Sequence, residues 1–267
     1  MNRALFLHTW RAYRVRLLIV TVAIGLWGTL LPVIYDSFGA QFKQMLDSGL
    51  IPPQFAQFGG GDIFSLTGAV ALGLVHPISV GLNLVFAVGF GAAAVAGERQ
   101  RGTLEILLSR PLSRRTTYVT LGLAGALFIG VTVAGFLVGA YVGSGLTGRL
   151  DELGTSDLPL LWLNAVLLFG AFGAIALAMS VSFDRLSPAL GISLAVVLVS
   201  YFLDVLGSLW PDAKWLQPYS LFQYLDAKAV LAGLADPRDF VVLVAVIAVA
   251  VGAALIIFPR RDLAAPS

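Results

Sequence analysis

Cysteine is absent from this chain, and histidine occurs only as His8 and His76. No disulfide, thiolate nucleophile or cysteine-bound metal is available, and no zinc or haem site is expected from two histidines alone. Charge is scarce too. Asp, Glu, Lys and Arg make up 12% of the 267 residues, about half the share of an average soluble domain. A water-soluble protein of this length could not cover its surface with so few charges, which excludes the soluble globular classes. What is present is apolar: 58% hydrophobic residues and a mean hydropathy of +0.89. The expected class is an all-α integral membrane protein forming a single transmembrane domain, 1–267.

A helix needs about 20 mostly apolar residues to cross the hydrocarbon core. Six runs approach or exceed that length: 17–35, 69–96, 117–143, 158–182, 188–206 and 240–258. Backbone groups in lipid must pair within their own segment, so the runs are expected to be helices. Their polarity does not alternate, which argues against a barrel. Basic residues precede the first run, as in a signal peptide. It is too long for a typical signal core and no clear A-x-A site follows, so it is expected to be retained.

Lys and Arg in the loops set the orientation. With the N-terminus inside, the inner segments hold 12 of the 17 basic residues and four of the 15 acids: Glu98, Glu105, Asp184 and Asp262. An even number of spans also returns both termini to one side. Both termini are therefore expected in the cytoplasm and the chain in the cytoplasmic membrane. The outer connections, 36–68 and 207–239, are long and aromatic. In the second, Ser220 is placed to cap a short helix ending near Gly233, with Leu221, Phe222, Leu225 and Ala229 on its apolar face. Trp215, Pro218, Tyr219 and Phe222 are the residues singled out there, either as an interfacial anchor or at a substrate exit.

Between the second and third runs lies a polar island, 97–115, reading GERQRGTLEILLSRPLSRR. It carries five of the 17 Lys and Arg residues, flanked on each side by more than twenty residues without charge. Glu98 sits at the end of a helix, where a carboxylate opposes the dipole. Arg101, three residues on, can offset that cost. Gly102 breaks the chain direction and Thr103 is an N-cap candidate. Glu105 suits a first turn, while Leu104, Leu107 and Leu108 share one face. Pro111 stops the helix, and Ser113 caps the next span. A helix of about two turns is unstable alone in water, so it is expected to dock on a protein or on the membrane surface.

From Gly97 to Arg114 the pattern G-E-R-x-x-G-T-L-E-x-L-L-S-x-P-L-S-R resembles the first cytoplasmic loop of ABC-2 type permeases, the membrane subunits of ATP-binding-cassette exporters. A second similarity lies at Trp215-Leu216-Gln217-Pro218-Tyr219-Ser220, with Gln217 where the family carries serine. The resemblance implies a six-span fold with a short coupling helix that fits a groove on an ATP-binding subunit. Leu104, Leu107 and Leu108 would fill that groove. Gly97, Glu98, Arg99, Gly102, Thr103, Glu105, Arg110 and Pro111 complete the coupling set. It further implies two ATPase chains, a second permease chain forming a homodimer or heterodimer, and ATP and magnesium bound by the partner and not by this chain. Segment 8–16 would be an amphipathic helix on the inner leaflet before the first span, with Leu5, Leu7, Trp10 and Tyr13 among Arg3, Arg11 and Arg14. No G-x-x-x-x-G-K-[ST] loop occurs, so any ATP used must be bound by a partner. No nucleic-acid partner is expected. The largely uncharged spans suggest a hydrophobic or amphipathic cargo, such as a drug, a lipid-like molecule or an apolar peptide.

Rows of small residues such as Gly135, Gly139, Gly143 permit close helix packing. His76-Pro77 is expected to kink the second span. Asn83 and Asn164 are expected to bond neighbouring helices. Asp204 is expected to end the fifth span near the outer surface. Two other functions compete. An ion-coupled secondary transporter needs ionisable groups inside its spans, and here they lie essentially at span ends. An intramembrane serine protease would need Ser193, in Gly191-Ile192-Ser193, to reach a histidine base, which only His76 could supply.

Overall fold

The computed structural model describes residues 1–50, 65–103 and 113–261. Every regular element among them is helical. Helix α1 (Arg3–Asp47) is followed by α2 (Leu66–Val75) and α3 (Pro77–Leu84). Two π-helical turns, Val85–Phe90 and Ala93–Gly97, then lead into α4 (Glu98–Gln100). After the polar island come α5 (Arg114–Leu146), α6 (Leu158–Ser182), α7 (Leu186–Leu209), the short α8 (Ala227–Leu231) and α9 (Pro237–Arg260). Five helices, α1, α5, α6, α7 and α9, are long and apolar enough to cross a membrane. The run expected at 69–96 falls largely on a pair, Leu66–Val75 and Pro77–Phe90, bent by 46°, and counting that pair as one span brings the number to six.

The bend falls at His76, whose extended backbone (φ −62°, ψ 143°) ends α2 and whose imidazole Nδ1 accepts from the Ile78 N–H to start α3. Pro77 disfavours helical backbone at the residue before it and is well tolerated at a helix's first position. The kink expected from His76-Pro77 is present.

Helix α1 departs most from the sequence reading. It has 45 residues, about 67 Å of helix, against a core of about 30 Å. The helix does not stop at Tyr35, because the polar stretch that follows remains compatible with helix. The turn comes at Ser48 and at Gly49, whose φ is 76°. Part of the expected outer loop, 36–47, is therefore helical. At the other end, segment 8–16 is no separate surface helix but the start of the same rod. Its aromatic residues face the bundle: Trp10 lies 6.2 Å from Phe128, and Tyr13 stands edge-on to Phe90 at 5.1 Å. Phe86 and Phe128, 5.2 Å apart, complete this knot. Aromatic pairs of this kind contribute about 0.5–1.5 kcal/mol beyond area burial.

Against α1 packs α5, with its glycine row inward. A β-carbon at Gly139 would fall 2.0 Å from the Gly25 carbonyl oxygen, and one at Gly143 2.4 Å from that of Thr29. The row predicted from spacing thus forms a backbone-to-backbone crossing, which suits helices that share no hydrophobic driving force in lipid. Asn83 accepts from the Thr132 hydroxyl at 2.8 Å, and Asn164 donates to the Tyr224 carbonyl at 2.9 Å. Both link separate elements, as expected.

Both ends of the described chain lie on the face of the polar island. The Asn2 N–H donates to Thr120 Oγ1 at 2.9 Å, and Arg114 donates to the Arg261 carbonyl at 2.6 Å. On the opposite face Arg149 bonds Asp36 at 2.7 Å and Glu152 at 2.9 Å, and these hydrogen bonds raise its pKa. The helix expected from Ser220 to Gly233 is divided there. Ser220 closes a turn by accepting from the Phe222 N–H at 3.0 Å, a 3₁₀ turn spans Phe222–Tyr224, and α8 starts anew with Asp226 as its cap. Gly233, at φ 72°, follows its end.

Candidate functional site

Among the described residues a cluster of ion pairs and hydrogen bonds surrounds the two ends of the polar island. The chain leaves α4 through a Schellman turn: Thr103 N–H bonds the Glu98 carbonyl at 3.0 Å, and Gly102 N–H bonds that of Arg99 at 2.9 Å. This closure requires the left-handed backbone that Gly102 adopts at φ 72°. Glu98, unfavourable against the helix dipole, is offset by an ion pair with Arg101 and a hydrogen bond from the Thr103 hydroxyl. The hydroxyl also donates to the Glu98 carbonyl at 3.1 Å. Thr103 therefore closes the preceding helix. The cap it was expected to provide for a following helix concerns 104–112, outside the described residues. Leu104, Glu105, Leu107, Leu108, Arg110 and Pro111 lie outside them as well.

From this turn, contacts run to three other helices. Arg99, with a side chain only 11% exposed, pairs with Asp184 at 2.5 Å. Asp184 lies in the link between α6 and α7 and also pairs with Arg261, just past α9, at 2.5 Å. Arg261 further donates to the Val181 carbonyl at 2.9 Å, and Gln100 accepts from the Leu186 N–H at 3.0 Å. At the other end of the island, Arg114 donates to the Phe258 carbonyl at 3.1 Å as well as to that of Arg261. A guanidinium there satisfies carbonyls that a helix end leaves unpaired. Asp184 is 59% exposed, so its pairs contribute at most about 1 kcal/mol each. Their effect is to fix positions.

Above the turn, Ser180 of α6 enters the backbone of the bent span. Its hydroxyl donates to the Ala92 carbonyl at 2.7 Å and accepts from the Val95 and Ala96 N–H groups at 3.0 and 2.9 Å. A π-helical turn displaces backbone groups from their usual partners, and such turns are frequent at functional sites. Gly97 is buried beneath it, where a β-carbon would meet that of Ala93 at 3.3 Å.

Sequence reasoning named Gly97, Glu98, Arg99, Gly102 and Thr103, and the structure brings these together. It missed Gln100, Ser180 and Arg261 as members, and counted Asp184 only as a charge. Asp184 was the one with a signal, as an acid on a basic face. The outer set does not converge. Trp215, Pro218 and Tyr219 lie on a 3₁₀ segment, Pro211–Tyr219, with Trp215 and Tyr219 exposed. Phe222 is buried against Phe172 and Tyr201. Asp204 lies within α7, half-buried, and does not end it. Ser193 is buried and donates to the Ala189 carbonyl at 2.6 Å, while His76 packs on Trp27. The pair a serine protease would need is not formed among the described residues.

These features define a class: a multi-pass helical membrane protein whose spans are tied together at one face around a loop. Residues 10–263 match the family model described as ABC-2 family transporter protein, and the chain belongs to that family. It is a transmembrane transporter permease, of the kind that pairs with an ATP-binding-cassette ATPase subunit. No curated protein matches the chain.

Proposed function

We propose that this permease is the membrane-embedded part of an exporter, has no ATPase site of its own, and is driven by a separate subunit that docks on the polar island. One observation carries the reading: both ends of the island are tied to helices that do not adjoin it in sequence. Arg99 reaches α6 and α7 through Asp184, and Arg114 reaches the end of α9. Movement of the island would therefore shift several spans together, a conformational step with no bond chemistry in this chain. In this reading the island face and both termini are cytoplasmic, in agreement with the charge distribution. The coupling helix lies within 104–112 and presents Leu104, Leu107 and Leu108 to the ATPase. Two permease chains pair with two ATPase chains in the cytoplasmic membrane, and the ATPase holds ATP and magnesium. The cargo is hydrophobic or amphipathic, matching spans with few ionisable groups away from their ends.

The test is co-expression with an ATPase encoded beside this chain, using Glu98→Ala and Leu107→Asp. The expected result is loss of ATPase association or of substrate-stimulated hydrolysis, with membrane insertion unchanged. Normal assembly and transport in both variants would overturn the docking role. Transport that persists without ATP and collapses with an uncoupler would replace it with ion coupling.

A further inference from the structure

Between α5, α6, α9 and the bent span lies an apolar cavity of about 230 Å³. Gly122 and Gly170, where an added β-carbon would meet nothing nearer than 3.6 Å, leave part of the room, while Gly91, Gly125 and Gly173 let the helices around it pack closely. An apolar cavity of about 150 Å³ stays dry and accepts benzene, so this one admits a larger apolar group. Along α5 the lining runs from Tyr118 to Ile129, about 16 Å of helix rise, which makes the cavity long in the direction of the spans. It has an opening towards lipid, where Ala126 of α5 is exposed and Ile247 and Val251 of α9 are half-buried.

One polar side chain breaks the apolar lining. Tyr118 is 1% exposed, and its buried hydroxyl has no hydrogen-bond partner among the described residues. A buried donor left unpaired is destabilising, so a ligand that supplies an acceptor is favoured there. Tyr118 lies about one turn from the start of α5 at Arg114, on the island face. In a bilayer that is the depth of lipid ester carbonyls, with the hydrocarbon chain running inward from it. Arg115, exposed and three residues before Tyr118, falls on the same side of the helix, where a lipid phosphate would sit.

We propose that this cavity binds one acyl chain of a phospholipid from the island-side leaflet, with the ester carbonyl accepting from the Tyr118 hydroxyl. The chain enters between α5 and α9 and fills the space beside Gly122 and Gly170. The site stands apart from ATPase docking: occupancy needs neither nucleotide nor a second subunit.

The test uses the full-length chain in phosphatidylcholine nanodiscs containing phosphatidylglycerol with a diazirine midway along one acyl chain. After irradiation, labelled residues are mapped by mass spectrometry without nucleotide. The expected result is label on Phe86, Leu121 and Leu177, which are buried and beyond the reach of surrounding lipid, in addition to the exposed Leu123. At Gly122 and Gly170 an added β-carbon meets its nearest neighbour at an ordinary 3.6 Å, so Gly122→Leu and Gly170→Leu fill the cavity without displacing backbone. Each should lower interior label about tenfold and leave Leu123 unchanged. Tyr118→Phe keeps the shape, loses the donor, and should weaken interior labelling by about three- to tenfold. Interior label at background in the unmodified chain, or unaffected by both leucine variants, overturns the site. Equal interior label in Tyr118→Phe overturns the assigned hydrogen bond. Loss of ATPase docking with interior label intact would refute only the exporter reading.

Discussion

Gly139 lies against Gly25 so closely that a β-carbon on the first would stand 2.0 Å from the carbonyl oxygen of the second. Neither helix can yield at this point without moving its backbone. Gly139→Ala should therefore cost about 3 kcal/mol, at the upper end for overpacking. Thermal unfolding in detergent measures this. Gly145→Ala is the control, since nothing lies within 4 Å of its added carbon. Equal losses at the two positions would refute the crossing.

Ser180→Ala removes the hydroxyl that serves Ala92, Val95 and Ala96. If the π-helical turns persist, buried groups go unpaired at a cost of about 1–2 kcal/mol. If a turn reverts to α-helix, the residues beyond it rotate by about 100° per residue of register. Gln100→Cys with Leu186→Cys reports on this, in a chain without native cysteine. The pair should cross-link in the parent and lose cross-linking when Ser180→Ala is added. Unchanged stability together with unchanged cross-linking would show that the hydroxyl is dispensable.

Asp184→Asn breaks the pairs with Arg99 and Arg261 together. Both are partly solvated, so the stability change should stay within about 1 kcal/mol. Transport should fall far more, since Arg99 loses its link to α9 and Arg114 alone keeps the island tied there. Substrate-stimulated ATP hydrolysis in the assembled transporter, beside a melting curve, separates the two effects. A variant that transports normally would show these contacts to be incidental.

Asn83→Ala leaves the Thr132 hydroxyl without its partner on the bent span. Interhelical hydrogen bonds of this kind average about 0.6 kcal/mol and reach about 1.7 kcal/mol in the membrane. A double-mutant cycle with Thr132→Val should return a coupling energy in that range. Strict additivity would mean that the pair contributes nothing.

Hydropathy alone made the helical class legible, and the predicted runs lie along the helices. What it could not locate was where a helix ends in water. At 36–47 the chain is polar enough to look like a loop, yet neither a proline nor a left-handed glycine interrupts it before Gly49. The reverse error fell on 220–233, where apolar residues at helical spacing are divided by Leu225 and Asp226 outside helical backbone. Local rules did identify Glu98 with Arg101 and the turn at Gly102, because every partner lies within five residues. Asp184, Ser180 and Arg261 join the same cluster through contacts that span 77 to 147 positions of sequence. No periodicity carries that information; only the packing of spans supplies it.

The unbroken α1 has a mechanical consequence. A helix continuous from Arg3 to Asp47 has no break at the island-side boundary of the bilayer, and its one proline, Pro32, lies towards the other, so the part before Pro32 tilts or slides as one strut. Its foot is held by Thr120 through Asn2, and its far portion by Arg149 through Asp36. A tug at the foot is delivered on the other side of the membrane with no intervening loop to absorb it.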